Sequence, residues 1–280
     1  MRNEPGRRRK IKSLQFRLYP LLLTFRARET LSFPQGGAAN RLRGAFGAIL
    51  HKLDLVPMFA PSSADGPSGL VDQPRPFVFR ASHLNGKTIA PGETFQFDFH
   101  WFDLRRESLE TVIHAFRELS AAELVDVRGA DAPMELCLNS SGDSVKHITI
   151  RFETPTELKA GGQTMDRPEF GILAARIRDR ISTLRALYDD GPLTLDFRQF
   201  GECAARIRMT RCDIRHVEAS RRSGRTGQTH SLGGFVGEAE YEGDLREFVP
   251  YLRAAHWTGV GRQTAWGKGE LTLHTERPEN

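Results

Sequence analysis

The spacing of apolar residues alternates between the two-residue period of a strand and the 3.6-residue period of a helix, in the same order in each half of the chain. The clearest strand is 94–101, where phenylalanines and Trp101 alternate with polar residues. In the first half of the chain, the apolar spacing predicts strands at 21–27, 77–79, 95–101, 123–128 and 133–139. It predicts helices from Asn40 and at 109–119. The second predicts strands at 145–152, 206–217, 233–241 and 270–274, and helices at 170–188 and 245–252.

This element order, β-α-β-β-α-β in each half, is the ferredoxin-like arrangement. The sequence therefore predicts an α+β protein of two tandem ferredoxin-like domains, at 14–142 and 143–280, after a basic, disordered tail at 1–13. A length of 280 residues is sufficient for two such domains. Within the strand at 206–217, the alternation changes phase near Thr210. The halves share element order but no residue-level repeat.

Membrane and secreted classes are not favoured by the sequence. Its apolar runs are far shorter than the roughly 18 residues a membrane span requires, and the basic N-terminus is not followed by a signal-peptide core. Three cysteines without a Cys-x-x-Cys pair argue against a disulfide framework and a cysteine-based zinc site. We therefore expect a cytoplasmic protein without a metal or cofactor.

Arginine dominates the positive charge. The chain has 40 basic and 35 acidic residues, and 33 of the basic residues are arginines. Arginine binds phosphate and stacks on bases, which favours a nucleic-acid partner, although a genome rich in G and C would give the same bias. Seven arginines lie within 206–225, on a strand and on the tip of a long predicted hairpin. They could contact RNA or form a solvated loop, whereas Arg176, Arg178, Arg180 and Arg185 ring the long helix and are expected to be solvated.

The segment 259–269 is the most distinctive motif, with four glycines, two basic residues and Trp266 between the last helix and the last strand. A dinucleotide fingerprint would need glycine in place of Thr264, and the spacing from Gly261 to Gly267 does not fit a P-loop. Glycine-rich backbone can approach a phosphate closely, and a tryptophan can stack on a base. The alternative is a tight loop buried between domains.

Three parts of the sequence resemble the CRISPR repeat-processing endoribonucleases of the RAMP superfamily. They are the strand and glycine-rich segment (233–241 and 256–270), the strand end at 152–158, and the first helix at 41–50. The resemblance implies two ferredoxin-like domains, recognition of CRISPR repeat RNA, and one metal-independent cut per repeat. For such an RNA, the predicted contacts lie in the first helix, the arginine-rich hairpin and the glycine-rich segment: Arg43, Arg206, Arg208, Arg221, Arg222, Arg225, Gly259, Gly261, Arg262, Trp266 and Lys268.

Metal-free RNA cleavage requires an acid and a base near neutral pKa, and histidine is suited to both roles. On a helical projection, His51 lies nearly opposite the apolar stripe of its helix and shares a strip with Asn40, Gly44 and Gly47. Family members often place a catalytic histidine in or near this helix, so His51 is the predicted acid or base. Lys52 is a weaker candidate for contacting the phosphate. The alternative is a solvent-exposed histidine beside glycines that accommodate a neighbouring element.

Two other interpretations of the sequence remain open. His256, beside the glycine-rich segment, is a second candidate histidine, or it simply ends its helix. The chain could also be a non-catalytic RNA-binding RAMP subunit that holds guide RNA with the other subunits of a CRISPR effector complex. Under either RNA-binding interpretation the partners are repeat RNA and effector subunits, and the repeat sequence is not determined.

Overall fold

The computed structural model describes residues 14–59, 73–105, 108–140, 142, 144–218, 220–222, 229–231 and 233–275. The predicted basic tail lies outside these residues, as do residues 60–72. The first half contains β1 (Gln15–Ala27), β2 (Leu31–Ser32), α1 (Ala38–Lys52), α2 (Val56–Phe59), β3 (Phe77–Arg80), β4 (Thr88–Ile89), β5 (Thr94–Trp101), α3 (Leu109–Arg117), β6 (Ala122–Arg128) and β7 (Met134–Cys137).

The second half repeats this plan. It contains β8 (His147–Thr156), β9 (Lys159–Ala160), β10 (Gln163–Thr164), α4 (Phe170–Tyr188), α5 (Phe197–Ala204), β11 (Arg208–Val217), β12 (Ser220–Arg222), β13 (Thr229–Ser231), β14 (Gly234–Glu242), α6 (Val249–Thr258) and β15 (Leu271–Thr275). The main sheets have the strand orders β3-β5-β1-β6 and β11-β14-β8-β15, with β7 paired to the start of β1. In both halves this is the antiparallel order of a ferredoxin-like domain, which confirms the predicted fold class.

The first sheet buries one face under α1 and α3. Alternation in β1 and β5 directs Phe25 and Phe97 to this face, where their rings stack 5.5 Å apart. Phe46 of α1 and Phe116 of α3 stack above them at 4.6 Å. Each phenylalanine buried in this way contributes about 1.5–3 kcal/mol relative to an exposed one, so the aromatic cluster fixes α1 on the sheet.

The second sheet is covered on one face by α4 and α6. Ile150 of β8, Ile177 of α4 and Leu252 of α6 belong to its core, together with Ala239 of β14. The pairing of β11 with β14 shifts register between Met209 and Arg211, at the predicted change of phase near Thr210. A bulge explains the change because an inserted residue reverses the face to which later side chains point.

The two halves share this second core. Phe16 and Leu18 at the start of β1, Val78 of β3 and Phe102 after β5 are all buried in it. β1 has 13 residues, so its first part extends past the aromatic cluster and pairs with β7. Packing therefore continues from one half into the other.

Several elements differ from their predicted extent: β1 begins six residues earlier, at Gln15, and β8 ends four residues later, at Thr156. α6 begins at Val249, four residues later than its apolar spacing indicates, because Leu245 and Phe248 are buried in a turn and Pro250 occupies the first helical turn. β11 begins at Arg208, so Arg206 lies in the preceding turn and does not share its strand face. α5 was not predicted from the sequence.

A capping signal for α5 is nevertheless present. The Asp196 carboxylate accepts hydrogen bonds from the backbone N–H groups of Arg198 (3.0 Å) and Gln199 (2.9 Å). Aspartate is among the preferred residues at this position. Its presence before an eight-residue helix could have revealed α5.

Candidate nucleic-acid interface

The glycine-rich segment, residues 259–269 (the Gly-loop), joins α6 to β15 and lies between the two halves. Gly261 has a φ of 79°, and a Cβ atom there would collide with the carbonyl of Glu157 after β8. Gly267 has a φ of 78°, and a Cβ atom there would overlap the Cβ of Ala39 in α1. Both positions therefore require glycine, for conformation and for space. The Gly-loop contacts β8 on one side and α1 on the other.

Backbone hydrogen bonds attach the Gly-loop to the second half. The N–H of Gly269 donates to the carbonyl of Pro155, and the N–H of Arg262 donates to the carbonyl of Glu157, each at 3.2 Å. The 3₁₀ turn Thr264–Trp266 packs on β3, which is an edge strand of the first sheet. The Gly-loop thus covers an edge that would otherwise be open to pairing.

Part of the Gly-loop is buried between the halves. This part agrees with the alternative interpretation of the segment as a tight loop buried between domains. Gly259, Gly267 and Gly269 are buried, and the Lys268 side chain is also buried, with 5% of the residue accessible. Burial lowers the pKa of Lys268, because the charged ammonium loses hydration. Of the predicted RNA contacts in this loop, Gly261, Arg262 and Trp266 are the accessible ones.

Three side chains cap the C-terminal end of α6, where the last carbonyls of a helix lack backbone donors. The carbonyls of residues 256–258 accept, in order, from Arg80 Nη2 (3.2 Å), His100 Nδ1 (2.8 Å) and Arg180 Nε (2.8 Å). Arg80 and His100 come from the first sheet and Arg180 from α4. This cap holds the start of the Gly-loop against both halves.

The cap is electrostatically costly because its members are desolvated and two of them are cations. Burial, with the charge of Arg80 nearby, lowers the pKa of His100 to about 3, so the ring is neutral at physiological pH. Burial and repulsion by Arg80 lower the pKa of Arg180 to about 9. The negative end of the α6 dipole partly offsets this cost.

A cleft of about 460 Å³ lies beside the exposed part of the Gly-loop. We call it the Gly-loop cleft. Residues from the segment before β3, the end of β8 and its turn, α4 and the Gly-loop itself form its walls: Gln73, Pro74, Arg75, Glu157, Lys159, Arg176, Asp179, Arg180, Thr183, Gly261, Arg262, Gln263, Thr264, Ala265 and Trp266. Five of these residues are basic and two are acidic, so the cleft is positively charged.

Two of the predicted contacts are brought together at this cleft. The guanidinium of Arg43 in α1 lies over the ring of Trp266, 4.9 Å from its centroid. Arg43 as a whole is buried, so the pair fixes the tryptophan relative to α1. Gly261, Arg262 and Trp266 therefore line one cleft, and Arg43 contacts it through Trp266.

The arginines of α4 differ from their predicted solvated role. Arg176 and Arg180 both line the Gly-loop cleft, and Arg180 also caps α6. The sequence indicated only that these two arginines share a helix face, because they are four residues apart. Lys159, the first residue of β9, was also missed, and its position depends on the pairing of β9 with β10.

His51 and Lys52 lie at the other end of α1 and are exposed. The helix ends in a Schellman motif, in which Leu55 N–H donates to the carbonyl of Leu50 and Asp54 N–H to that of His51. The His51 ring has no hydrogen-bond partner among the described residues. Eight residues of helix put His51 about 12 Å along the axis from Arg43.

The predicted strip beside His51 is only partly open. A Cβ atom at Gly44 would meet nothing within 4 Å, and this glycine is exposed. Gly47, one turn further along α1, is buried. Close approach to the helix backbone is therefore available at Gly44, on the same side as His51.

The arginine-rich hairpin is formed by β11 and β14 and continued by β12 and β13. Arg208 pairs with Glu242 (2.7 Å) and Arg211 with Glu240 (3.0 Å), both across the strands. These exposed pairs contribute little to stability and can exchange with phosphate. Arg221 and Arg222 lie in β12 with their side chains outside the described set, and Arg225 lies wholly outside it.

The described residues form neither a metal site nor a membrane-spanning helix. They contain no group of three or more His, Cys, Asp or Glu side chains arranged to hold a metal ion. No helix among them has the length and apolar character needed to cross a bilayer.

Solved Cas6 structures share the fold of this chain. The fold is shared with a Cas6 product complex (17% identity, TM-score 0.59) that covers 94% of this chain and 100% of its own. Thermus thermophilus Cas6 aligns at 16% identity and a TM-score of 0.58, covering 94% and 99%. A chain of a partial Cas6-RT-Cas1–Cas2 complex aligns at 12% identity and a TM-score of 0.62. The alignment covers 96% of this chain and 48% of that one.

Two family models match the sequence. Residues 150–271 match the family model for CRISPR-associated endoribonuclease Cas6, and residues 16–148 match a model described as an N-terminal domain. Comparison with curated proteins gives no match. The predicted resemblance is confirmed: the chain shares the fold of solved Cas6 proteins, and its second half matches the Cas6 endoribonuclease family model.

Proposed function

We propose that this chain binds CRISPR repeat RNA and cuts it once per repeat without a metal ion, leaving a 2′,3′-cyclic phosphate and a 5′-OH. The observation that carries this proposal is the Cas6 family match, which spans the Gly-loop at the junction of the two halves. The positively charged cleft beside that loop supports it. Solved neighbours include a product complex and a substrate mimic complex of Cas6 proteins.

In the proposed reaction, the 2′-oxygen forms a bond to phosphorus as the bond from phosphorus to the 5′-oxygen breaks. A base accepts the proton of the 2′-OH, and an acid supplies a proton to the leaving oxygen. His51 is the proposed acid or base because its ring is exposed at the end of α1, on the open side marked by Gly44. Lys52 is exposed beside it and could offset charge on the phosphate.

RNA would be held across the junction of the halves. In the proposed path, the repeat contacts α1, the accessible part of the Gly-loop and the arginine-rich hairpin. The hairpin arginines are the predicted contacts for a folded part of the repeat, through its phosphates. Such binding should weaken as salt rises, because phosphate contacts release counterions.

The test is incubation of the pure full-length protein with a repeat transcript in the presence of EDTA. A single cut per repeat with a cyclic phosphate end is the expected result. A strict requirement for Mg²⁺ would contradict the metal-independent scheme. A product with a 3′-OH would exclude attack by the 2′-oxygen.

One observation favours the second candidate, a non-catalytic subunit that holds guide RNA. The His51 ring has no orienting hydrogen bond among the described residues, whereas a catalytic histidine is usually positioned by a partner. The same incubation separates the two proposals, since binding without any cut would support the subunit. Effector subunits are the proposed protein partners in either case, and the cytoplasm is the expected location.

A further inference from the structure

The size of the Gly-loop cleft limits what can enter it. A volume of about 460 Å³ is in the range of sites for small ligands, and both halves of the chain contribute walls. An RNA duplex is too wide for such a space. A single nucleotide that is free of base pairing is of suitable size.

The charges of the cleft are not balanced within it. Lys159 (3.7 Å) and Arg262 (3.2 Å) share the carboxylate of Glu157. Arg176 (3.6 Å) shares the carboxylate of Asp179 with a second arginine. Each carboxylate thus faces two cations, so positive charge remains for an anionic ligand.

Arg180 is oriented in advance for such a ligand. Its Nε donates to the carbonyl of Thr258, which fixes the plane of the guanidinium. Its two terminal nitrogens have no acceptor within the described ranges, and the residue lines the cleft. Arg80 lies near enough to repel it, so a phosphate bound at Arg180 would offset that repulsion.

Trp266 provides an aromatic surface at the same cleft. Arg43 holds the ring from α1, and aromatic rings bind unpaired bases by stacking, with little dependence on base identity. The neighbouring Gln263 has a φ of 60°, which is uncommon for a residue other than glycine, and its side chain also lines the cleft. Strained conformations of this kind are concentrated at functional sites.

We propose that the Gly-loop cleft is a subsite for one unpaired nucleotide of the RNA, with its phosphate on the basic wall and its base against Trp266. This inference rests on the proposed function and identifies the part of the RNA the cleft takes. Trp266 lies beside Arg43, so the subsite is about 12 Å along α1 from His51. Occupancy therefore contributes to binding and not to the chemical step.

Tryptophan fluorescence of the full-length protein tests the stacking. Unpaired hexa-adenylate is expected to quench the emission, and Trp266→Phe should abolish the quenching. Trp257→Phe, which removes a tryptophan outside the cleft, should retain it. Quenching that persists in Trp266→Phe would overturn the proposal. So would tight binding of AMP that hexa-adenylate fails to displace, because the occupant would then be a free nucleotide.

Charge reversal tests the phosphate contact. Lys159→Glu should weaken binding of repeat RNA about tenfold or more. The accompanying loss of cleavage efficiency should appear mainly as an increase in KM. Lys146→Glu, at an exposed lysine before β8, is the matched control and should change binding less than twofold. Equal effects of the two variants would contradict the subsite. Failure of the wild-type protein to cut repeat RNA, with these binding results intact, would refute the proposed function alone.

Discussion

At the scale of single residues, position on α1 separates two roles. Arg43 is buried against Trp266, whereas His51 is exposed at the end of the helix with no described side chain to orient it. A nearby phosphate and ribose of bound RNA would have to orient the ring. The proposed chemistry at His51 therefore depends on the substrate more than on a preformed hydrogen-bond network.

His51→Ala should reduce the single-turnover cleavage rate at least 100-fold, because acid–base catalysis contributes about 10²–10⁴. Binding of repeat RNA should stay within a few fold, because one exposed imidazole adds little to a large charged interface. His274→Ala removes an exposed histidine from β15 and is the control. Unchanged cleavage by His51→Ala would exclude His51 from the mechanism.

Replacement by alanine should change the free energy of unfolding in opposite directions at two glycines of the interface. Gly267→Ala should lower the free energy of unfolding by about 2–3 kcal/mol, since the new methyl meets Ala39 in a left-handed conformation. Gly44→Ala should raise it by up to about 1 kcal/mol, because the position is exposed, open and inside a helix. Urea denaturation measures both, and a stable Gly267→Ala would show that the Gly-loop does not contact α1 tightly.

At the scale of elements, the cap on α6 couples the first sheet to the Gly-loop. His100 of β5 and Arg80 of β3 reach the carbonyls that immediately precede Gly259. The free edge of β3 is covered by the turn Thr264–Trp266. The Gly-loop is thus both a structural junction and one wall of the proposed nucleotide subsite.

The cap predicts acid sensitivity. The pKa of His100 is about 3 in the folded protein, below its ordinary value, so the unfolded chain binds more protons between these two values. The stability gained from neutral His100 is therefore present near neutral pH and is lost as pH falls from about 6.5 towards 3. His100→Gln keeps an N–H donor without titrating. The Tm of this variant should be lower than that of the wild type at pH 7, and the difference in Tm should become smaller towards pH 4. Parallel profiles of Tm against pH would contradict this role of His100.

At the scale of the whole molecule, the core of the second half extends across the proposed domain division. Leu18 of β1 and Val78 of β3 are buried among side chains of α4, β8 and β14. We therefore expect one cooperative unfolding transition for the full chain, with coincident profiles by circular dichroism and by tryptophan fluorescence. Two resolved transitions would contradict the shared core.

Leu18→Ala tests the same point by mutation. It should cost about 2–5 kcal/mol, because it leaves a cavity in the core that both halves use. Val125→Ala, at a valine of β6 with 46% exposure, should change stability by less than about 0.5 kcal/mol. A Leu18→Ala effect confined to probes in the first half would indicate independent domains.

The sequence alone determined the element order and the fold class, because apolar spacing reports which face of each strand and helix is buried. It also located the register change near Thr210 and the Gly-loop, since a bulge and a turn with positive φ leave local signals. Tertiary structure alone decided that Lys268 is buried, that Arg180 caps α6, and that Lys159 and Arg176 share the cleft with Trp266. These outcomes depend on contacts between residues far apart in the chain, and periodicity within one element carries no information about its partner.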